Sequence, residues 1–455
     1  MEENTSLLVL EDMVTPTTKG KIYINLTAIC LIWVFAFTAY SGLQNLESSL
    51  NPDIGVYSLA VITAGGLVSC ILAPTVIYYI GPKGALILSS ICLSIFIATN
   101  YYPETYILLP GAAIYGLSSG ILWTAQGVYI STISQQYAAV VCDSFDSVLS
   151  RFFGIFCMAF QSTQIWGNLV SSVILQTGQS EKNSTGSMET CGANFCPGMA
   201  KPTDDASDKP DTEVVDVLIS VYLSCSIFSL LITIFLLRPI ASRYNSDVMS
   251  SRTAFLATLK LLLTNSNMAL LVPLAMYSGM EQVVLYAEFT RAYVACELGL
   301  EWVGYAMICF GLANTAASPL NGVLAKWLGR STLYIFATLL NAGFLTVLLF
   351  WTPRDHDMAL FFIIPGAWAI GDAIWQTQNS ALIGYAFPEN PEAAFANLRM
   401  FEALGFSVAY LYSNSLCVNV KLYMVGGLLL VSVILVTFVE IRLRKAPPKY
   451  RKVDQ

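Results

Sequence analysis

Twelve long apolar runs, almost free of charge, restrict this chain to a fold that crosses a membrane many times. Each run holds about twenty residues, the length an α-helix needs to cross a hydrocarbon core of about 30 Å. Only 12% of the 455 residues are charged, whereas soluble domains carry about 25%. The sequence therefore predicts an all-α multi-pass protein with twelve spans, numbered in chain order, at roughly 22–41, 56–80, 85–100, 107–131, 152–176, 214–237, 268–289, 302–325, 331–351, 359–384, 400–420 and 422–440.

An internal duplication divides these spans into two sets of six. The motif Tyr40-Ser41-Gly42-Leu43-Gln44-Asn45 closes span 1, and Tyr277-Ser278-Gly279-Met280-Glu281-Gln282 repeats it in span 7. Three further motifs recur in the same order, and the four pairs lie 237, 246, 252 and 248 residues apart. The three are Ala60-x-Ile62-x-x-Gly65 with Ala306-x-Ile308-x-x-Gly311, Trp123-Thr124-Ala125-Gln126 with Trp375-Gln376-Thr377-Gln378, and Arg151-Phe152-Phe153 with Arg399-Met400-Phe401. Such a repeat predicts two parallel six-helix bundles, the plan of the major facilitator fold.

The distribution of basic residues predicts the orientation in the membrane. With twelve spans both termini lie on one side, and that side carries 17 of the 23 Lys and Arg residues. By the positive-inside rule we expect that side to be cytoplasmic. Loop 177–213 then faces outward, where Asn183 begins a glycosylation sequon. In the same loop Cys191 and Cys196 are expected to form a disulfide with each other.

The span boundaries divide the chain into a tail 1–21, a bundle 22–240, a cytoplasmic linker 241–266, a bundle 267–440 and a basic cytoplasmic tail 441–455. Residues 252–264 of the linker place Phe255, Leu256, Leu259 and Leu263 on one helical face. This pattern predicts a helix lying on the inner membrane surface. The alternative is that this stretch begins span 7. The basic tail is typical of a segment that contacts anionic membrane lipid.

Polar residues in spans 1, 4, 7 and 10 predict a central cavity, because substrates of this fold bind near the midplane between the halves. Asp372 is the sharpest of them, since it lies about midway along span 10 with polar residues following on the same face. A carboxylate at mid-membrane costs about 2.5–3.5 kcal/mol even on insertion scales, so it must face water, hold a proton or be paired. The predicted cavity residues are Gln44, Asn45, Trp123, Gln126, Glu281, Gln282, Asp372, Trp375, Gln376 and Asn379.

The acidic residues of spans 7 and 10 are expected to have no basic partner. Glu281 and Glu288 lie seven residues apart in span 7 and form a second acidic face. The basic residues considered as partners all fall near span ends: Arg151, Arg291, Arg399 and Lys421. Uncompensated carboxyls favour a cation or proton site, and a static hydrogen-bond network between the halves is the alternative. Arg151 and Arg399, at the starts of spans 5 and 11, are interpreted as topological residues, and Gln161 of span 5 as a contact between helices.

The sequence gives no sign of an enzyme. It lacks a Gly-x4-Gly-Lys-Ser/Thr phosphate loop, and its single histidine, His356, leaves no base for a serine nucleophile. We therefore expect no catalytic activity, no cofactor, no metal site and no nucleic-acid partner. Two tail motifs have the form that sorting adaptors bind in the cytoplasm, which predicts a location in the plasma membrane or in endosomes. They are the acidic-dileucine set Glu3, Leu7 and Leu8 and the Tyr-x-x-apolar pair Tyr450 and Val453.

Several stretches are typical of one family, and the chain resembles the uncoordinated-ninety-three family from about residue 20 to 440. The resemblance is closest to its homologue A branch. It implies a major facilitator fold and a role directed at a partner. One branch of the family is an accessory subunit of two-pore potassium channels, and another escorts nucleic-acid-sensing Toll-like receptors from the endoplasmic reticulum to endosomes. The stretches are Ser41-Gly42-Leu43-Gln44-Asn45-Leu46, Leu122-Trp123-Thr124-Ala125-Gln126-Gly127, Met307-Ile308-Cys309-Phe310-Gly311, Ile374-Trp375-Gln376-Thr377-Gln378 and Glu392-Ala393-Ala394-Phe395-Ala396-Asn397.

The loop motif that transporters of this fold use as a latch is altered in this chain. Its form is Gly-x-Leu-Ala-Asp-Arg-x-Gly-Arg, and Lys326 replaces the Asp in the second copy while Tyr78 replaces it in the first. This favours an accessory or trafficking subunit of another membrane protein, with a potassium channel as the partner that the resemblance suggests. The alternative is a secondary transporter of a small cation or solute through the acidic cavity. A third interpretation, a purely structural scaffold, does not need the buried carboxyls.

Overall fold

A computed structural model of the chain describes residues 18–50, 52–176, 191–196, 212–240, 256–298, 301–413 and 415–446. Asn183, Phe255 and both sorting motifs lie outside these ranges, and so does the side chain of Asn45. The α-helices in these ranges are α1 Lys19–Leu50, α2 Pro52–Thr99, α3 Thr105–Val141, α4 Phe145–Gln176, α5 Thr212–Phe235, α6 Ala257–Thr264, α7 Ser266–Val283, α8 Glu301–Leu328, α9 Arg330–Phe350, α10 Met358–Ala386, α11 Pro391–Ser413 and α12 Val418–Lys445.

These helices contain all twelve predicted spans. Helix α2 holds spans 2 and 3, which Gly81 separates with a backbone conformation (φ 70°, ψ 168°) that breaks the helix and suits only glycine. Helix α6 is the linker helix, and each remaining helix holds one span. Nine segments of the described chain are long and apolar enough to cross a membrane. Helices α4 and α11 are not among them because polar and charged residues, such as Gln161 and Glu402, lower their hydropathy.

Two helices begin well before the apolar spans predicted for them. Helix α11 begins at Pro391 rather than near residue 400, and α4 begins at Phe145 rather than near residue 152. Arg399 and Arg151 therefore lie inside their helices and do not open them. The apolar pattern placed both starts too late because charged residues such as Asp146 and Glu392 lower the hydropathy of the first turns.

Span 7 changes helix type after the repeated polar motif. Helix α7 ends at Val283, and a π-helical segment follows over Val284–Ala295. A π-helical turn holds more residues than an α-helical turn, so a spacing of seven no longer returns to the same face. The predicted common face of Glu281 and Glu288 is therefore wrong, and the two carboxyls contact different helices.

Glycines bring the two halves together along α4 and α8. A Cβ atom on Gly154 would lie 2.8 Å from the carbonyl oxygen of Ser318, and one on Gly322 would lie 2.7 Å from that of Ser150. Only glycine allows this approach of the two backbones. The contact fixes α4 of the first half against α8 of the second, beside the polar residues at the centre.

The linker helix α6 is separate from α7, as Asn265 interrupts the chain between them and its side chain caps α7 through the backbone N–H of Asn267 at 3.0 Å. Leu256, Leu259 and Leu263 are exposed on one side of this short helix. The linker is thus not the beginning of span 7. Its apolar face has the form expected of a helix at a membrane surface.

Candidate functional site

The polar residues of α4, α7, α8, α10 and α11 meet in a buried network, which we call the central seam. Asp372 of α10 is fully buried, and its Oδ2 accepts hydrogen bonds from Gln161 Nε2 at 3.0 Å and Asn314 Nδ2 at 2.5 Å. Gln161 belongs to the first half and Asn314 to the second. The carboxylate therefore joins the two halves near the middle of α10.

Glu281 of α7 lies next to Asp372. It is fully buried, and its Oε2 accepts a hydrogen bond from Trp368 Nε1 at 2.5 Å. Trp368 precedes Asp372 by one turn of α10. Helix α10 therefore supplies the Asp372 carboxyl group and also the Trp368 indole, which orients the carboxyl group of Glu281.

A second group of contacts lies beside this pair. Gln376 Nε2 donates to Ser278 Oγ at 3.1 Å and to Glu402 Oε1 at 3.2 Å. Glu402 pairs with Arg399 at 2.6 Å, and the Arg399 guanidinium lies 4.8 Å from the ring centre of Trp123 in the first half. The interpretation of Arg399 as a topological residue therefore missed these contacts, since Arg399 belongs to the seam and stacks on the opposite half.

Other predicted cavity residues lie around this network in different environments. Trp375 is buried between the rings of Tyr277 and Tyr334, whose centroids lie 5.3 and 5.5 Å away. Asn379 accepts a hydrogen bond from the Tyr334 hydroxyl at 2.9 Å. Gln126 is fully buried with neither side-chain atom hydrogen-bonded. Gln44 and Gln282 are half-buried.

The structure thus brings Glu281, Asp372 and Gln376 into one network, and Gln44, Gln126 and Gln282 take no part in its described hydrogen bonds. Sequence reasoning missed Asn314, Trp368 and Glu402 as members. Asn314 and Glu402 carried a signal, a polar residue within an apolar run. Trp368 carried none, because an indole is common in any membrane helix.

Glu288 is paired, contrary to expectation. Lys421 Nζ lies 2.7 Å from its Oε2, both groups are buried, and Ser413 Oγ donates to its Oε1 at 2.6 Å. Lys421 lies in the first turn of α12, and the π-helical segment directs Glu288 towards it. The expectation that no basic residue reaches these carboxyls is wrong for Glu288.

Ion pairs join the halves at the end of the bundle where Lys19 and Lys445 lie, which we call the terminal face. Asp143, in the loop before α4, contacts Arg151 at 3.0 Å and Lys326 of α8 at 3.2 Å. The backbone N–H of Ser144, with Lys326 next, holds the pKa of Asp143 below its usual value. These contacts place a carboxylate of the first half against a cation of the second.

Arg330 makes the second ion-pair contact at the terminal face. It is buried at the start of α9, and its guanidinium lies 2.6 Å from Asp146 of α4 and 2.5 Å from Glu440 of α12. We call Asp143, Asp146, Lys326 and Arg330 the terminal latch.

At the opposite end, the loop face, the predicted disulfide is wrong. Cys191 is bonded to Cys296 and Cys196 to Cys417. The cysteines flank a 3₁₀ turn over Gly192–Asn194, which directs one towards the end of span 7 and the other towards the start of α12. The backbone N–H of Val418 donates to the carbonyl of Phe195 at 3.0 Å. Residues 191–196, between spans 5 and 6, are thus fastened to the second half.

The helices and their two-fold duplicated arrangement define a multi-span membrane protein of the major facilitator fold. The crystal structure of the E. coli fucose:proton symporter matches it with a TM-score of 0.67 at 11% identity, covering 92% of this chain and 99% of that one. Identity this low shows the fold alone.

The chain belongs to the UNC-93 family: the family model described as "Ion channel regulatory protein UNC-93" matches residues 47–438. Protein unc-93 homolog A of Xenopus laevis is 40% identical over 428 residues, which is 91% of this chain and 92% of that protein. The putative potassium channel regulatory protein unc-93 of Caenorhabditis elegans is 29% identical over 429 residues, 90% of this chain and 60% of the worm protein. The family resemblance and the fold predicted from the sequence are confirmed.

Proposed function

We propose that this chain is an accessory subunit that regulates an ion channel, and that the channel conducts potassium. The proposal rests on the family of the chain. The family model is described as an ion channel regulatory protein, and it matches residues 47–438, nearly the whole membrane domain. The worm relative, named for putative regulation of a potassium channel, supports the choice of ion. The partner is therefore expected to be another membrane protein rather than a soluble substrate.

The packing of the centre is consistent with a body that acts through its surface. Asp372, Glu281 and Trp375 are fully buried and contact other side chains of the seam. The terminal latch adds inter-half ion pairs. A protein whose two halves are joined by such contacts can bind a channel or lipid through its apolar outer surface.

Capture of intact complexes tests this proposal. The tagged chain is extracted from cells in mild detergent, and co-purified membrane proteins are identified beside a capture of the fucose:proton symporter, which shares the fold. The proposal expects a potassium channel enriched with the chain and not with the symporter. A reproducible capture that contains no ion channel would contradict it.

Transport of a small cation is the second candidate function. Asp372 and Glu281 each have one carboxyl oxygen without a hydrogen bond, which supports a role in holding a positive charge. Under this candidate Asp372→Asn abolishes cation uptake into cells or vesicles, whereas Glu389→Gln, in an exposed loop, leaves it unchanged. Equal uptake by wild type, Asp372→Asn and mock-transfected cells would exclude it.

We also propose that the chain resides in the plasma membrane or endosomes with both termini in the cytoplasm. The excess of Lys and Arg on the side of the termini supports this orientation. It predicts that Asn183 is glycosylated, so that glycosidase treatment shifts the wild type and not Asn183→Gln on a gel. Surface biotinylation of the Leu7→Ala, Leu8→Ala double variant tests the sorting motif, for which we expect a raised surface fraction.

A further inference from the structure

Two carboxyl groups at the centre of the seam have no basic partner in the described ranges. Asp372 and Glu281 are fully buried and lie next to each other. The guanidinium of Arg399 pairs with Glu402 instead, at 2.6 Å. Two carboxylates in contact within a low-dielectric interior cannot both stay charged without a compensating positive charge.

Three buried side-chain oxygen atoms in this part of the seam accept no hydrogen bond. These atoms are Asp372 Oδ1 of α10, Glu281 Oε1 of α7 and Gln161 Oε1 of α4. Gln161 is 2% exposed, and its Nε2 donates to Asp372 Oδ2 at 3.0 Å, which places its amide beside the carboxyl pair. Buried acceptors that lack a donor are costly, and a positively charged ligand removes that cost.

We propose that Asp372, Glu281 and Gln161 form a binding site for one monovalent positive charge, carried by a proton or by an alkali cation. A proton on one carboxyl donates a hydrogen bond to the other, and an alkali cation is bound by the same carboxyl oxygens and the Gln161 amide oxygen. Ca²⁺ prefers six to eight oxygen ligands. No group of three or more His, Cys, Asp or Glu that could hold a metal occurs among the residues that the structure describes.

The bound charge holds the seam together. Gln161 belongs to the first half, whereas Asp372 and Glu281 belong to the second. With the charge bound, the three groups attract one another across the boundary, and without it the two carboxylates repel. The site concerns the chain alone and holds whether or not the channel proposal is correct.

Other titratable groups surround the pair. The ion pair Arg399–Glu402 lies on α11, and the nearby phenols and thiol are uncharged at neutral pH. Those groups are Tyr277 of α7, Tyr286 of the π-helical segment and Cys157 of α4, and Tyr410 of α11 lies near Tyr286. The ion pair has no net charge, so the carboxyl pair must obtain its compensation from a bound ligand.

Melting of the purified full chain in detergent tests the proposal. Wild type is compared at pH 6 and pH 9 in choline chloride, then in sodium chloride and in potassium chloride at the same ionic strength. The expected result is a Tm that falls from the lower to the higher pH in choline. If sodium or potassium restores it at the higher pH, an alkali cation occupies the site, and if neither does, a proton does.

Neutral variants assign the response to the site. In Glu281→Gln the side-chain amide N–H can donate to Asp372, so this variant should fold. Its Tm should no longer depend on pH or on the cation. Asp372→Asn should lose the response as well. Glu389→Gln, which removes an exposed carboxylate elsewhere, should keep the wild-type response. The proposal would be overturned if the wild-type Tm depended on neither pH nor cation. It would also be overturned if the Tm of both seam variants changed as much as that of the wild type.

Discussion

Lys326 donates to both carboxylate oxygens of Asp143, at 3.2 Å each, across the boundary between the two halves. The latch motif of transporters with this fold has Asp where Lys326 stands, so the charges of the latch are reversed rather than lost. The cation lies on α8 and the carboxylate in the loop before α4. The altered motif therefore does not by itself argue against movement of the halves.

A double-mutant cycle measures this contact. Lys326 is half-exposed, so we expect a coupling of about 0.2–1 kcal/mol between Lys326→Ala and Asp143→Ala, because solvent screens exposed ion pairs. Thermal unfolding in detergent at low salt gives the four stabilities, and high salt should reduce the coupling. Strictly additive losses at low salt would show that the two side chains do not interact.

The lowered pKa of Asp143 predicts how this contact responds to acid. The carboxylate is stabilised in the folded state, by the Ser144 N–H and then Lys326, so its contribution is complete above the unfolded pKa of about 3.9. That contribution disappears as the pH falls through the lower, folded pKa. The difference in Tm between wild type and Asp143→Asn should therefore be constant from pH 7 to about 5 and shrink on further acidification. A difference that grows in acid would contradict the assigned direction.

Replacement of Arg330 should be severe. The guanidinium is buried between Asp146 and Glu440, so Arg330→Met leaves two carboxylates without their cation. Breaking a buried pair costs about 3–5 kcal/mol. Arg444→Met is the matched control, because Arg444 is exposed and bonds only to Ser331 among the described contacts. A similar yield of monodisperse protein and a similar Tm for both variants would contradict the buried role of Arg330.

The disulfide pairing is directly measurable. Peptide mapping without reduction should recover the linked pairs Cys191–Cys296 and Cys196–Cys417, and no Cys191–Cys196 peptide. Removal of a native disulfide typically costs about 2–5 kcal/mol, so Cys296→Ser should lower the Tm clearly. Cys142→Ser, at an exposed free cysteine, should not. A recovered Cys191–Cys196 link would restore the pairing expected from the sequence.

The sequence predicted the span count, the duplication and the acidic centre, because hydropathy and polar interruptions are local properties. It did not predict the pairing partners. The two disulfides join residues 105 and 221 positions apart, and the Lys421–Glu288 pair depends on a π-helical segment that no local pattern announced. The early starts of α4 and α11 were missed because hydropathy does not distinguish a polar residue buried in protein from one in a loop.

Potassium current through a captured channel tests the central claim most directly. Cells express the channel with the chain, without it, or with the fucose:proton symporter as a membrane protein of the same fold. Surface channel number is measured in each case by biotinylation. The account predicts that the chain alone changes the current per surface channel or its gating. Equal current per surface channel and equal gating in all three cases, with the complex still recovered in detergent, would contradict a regulatory role.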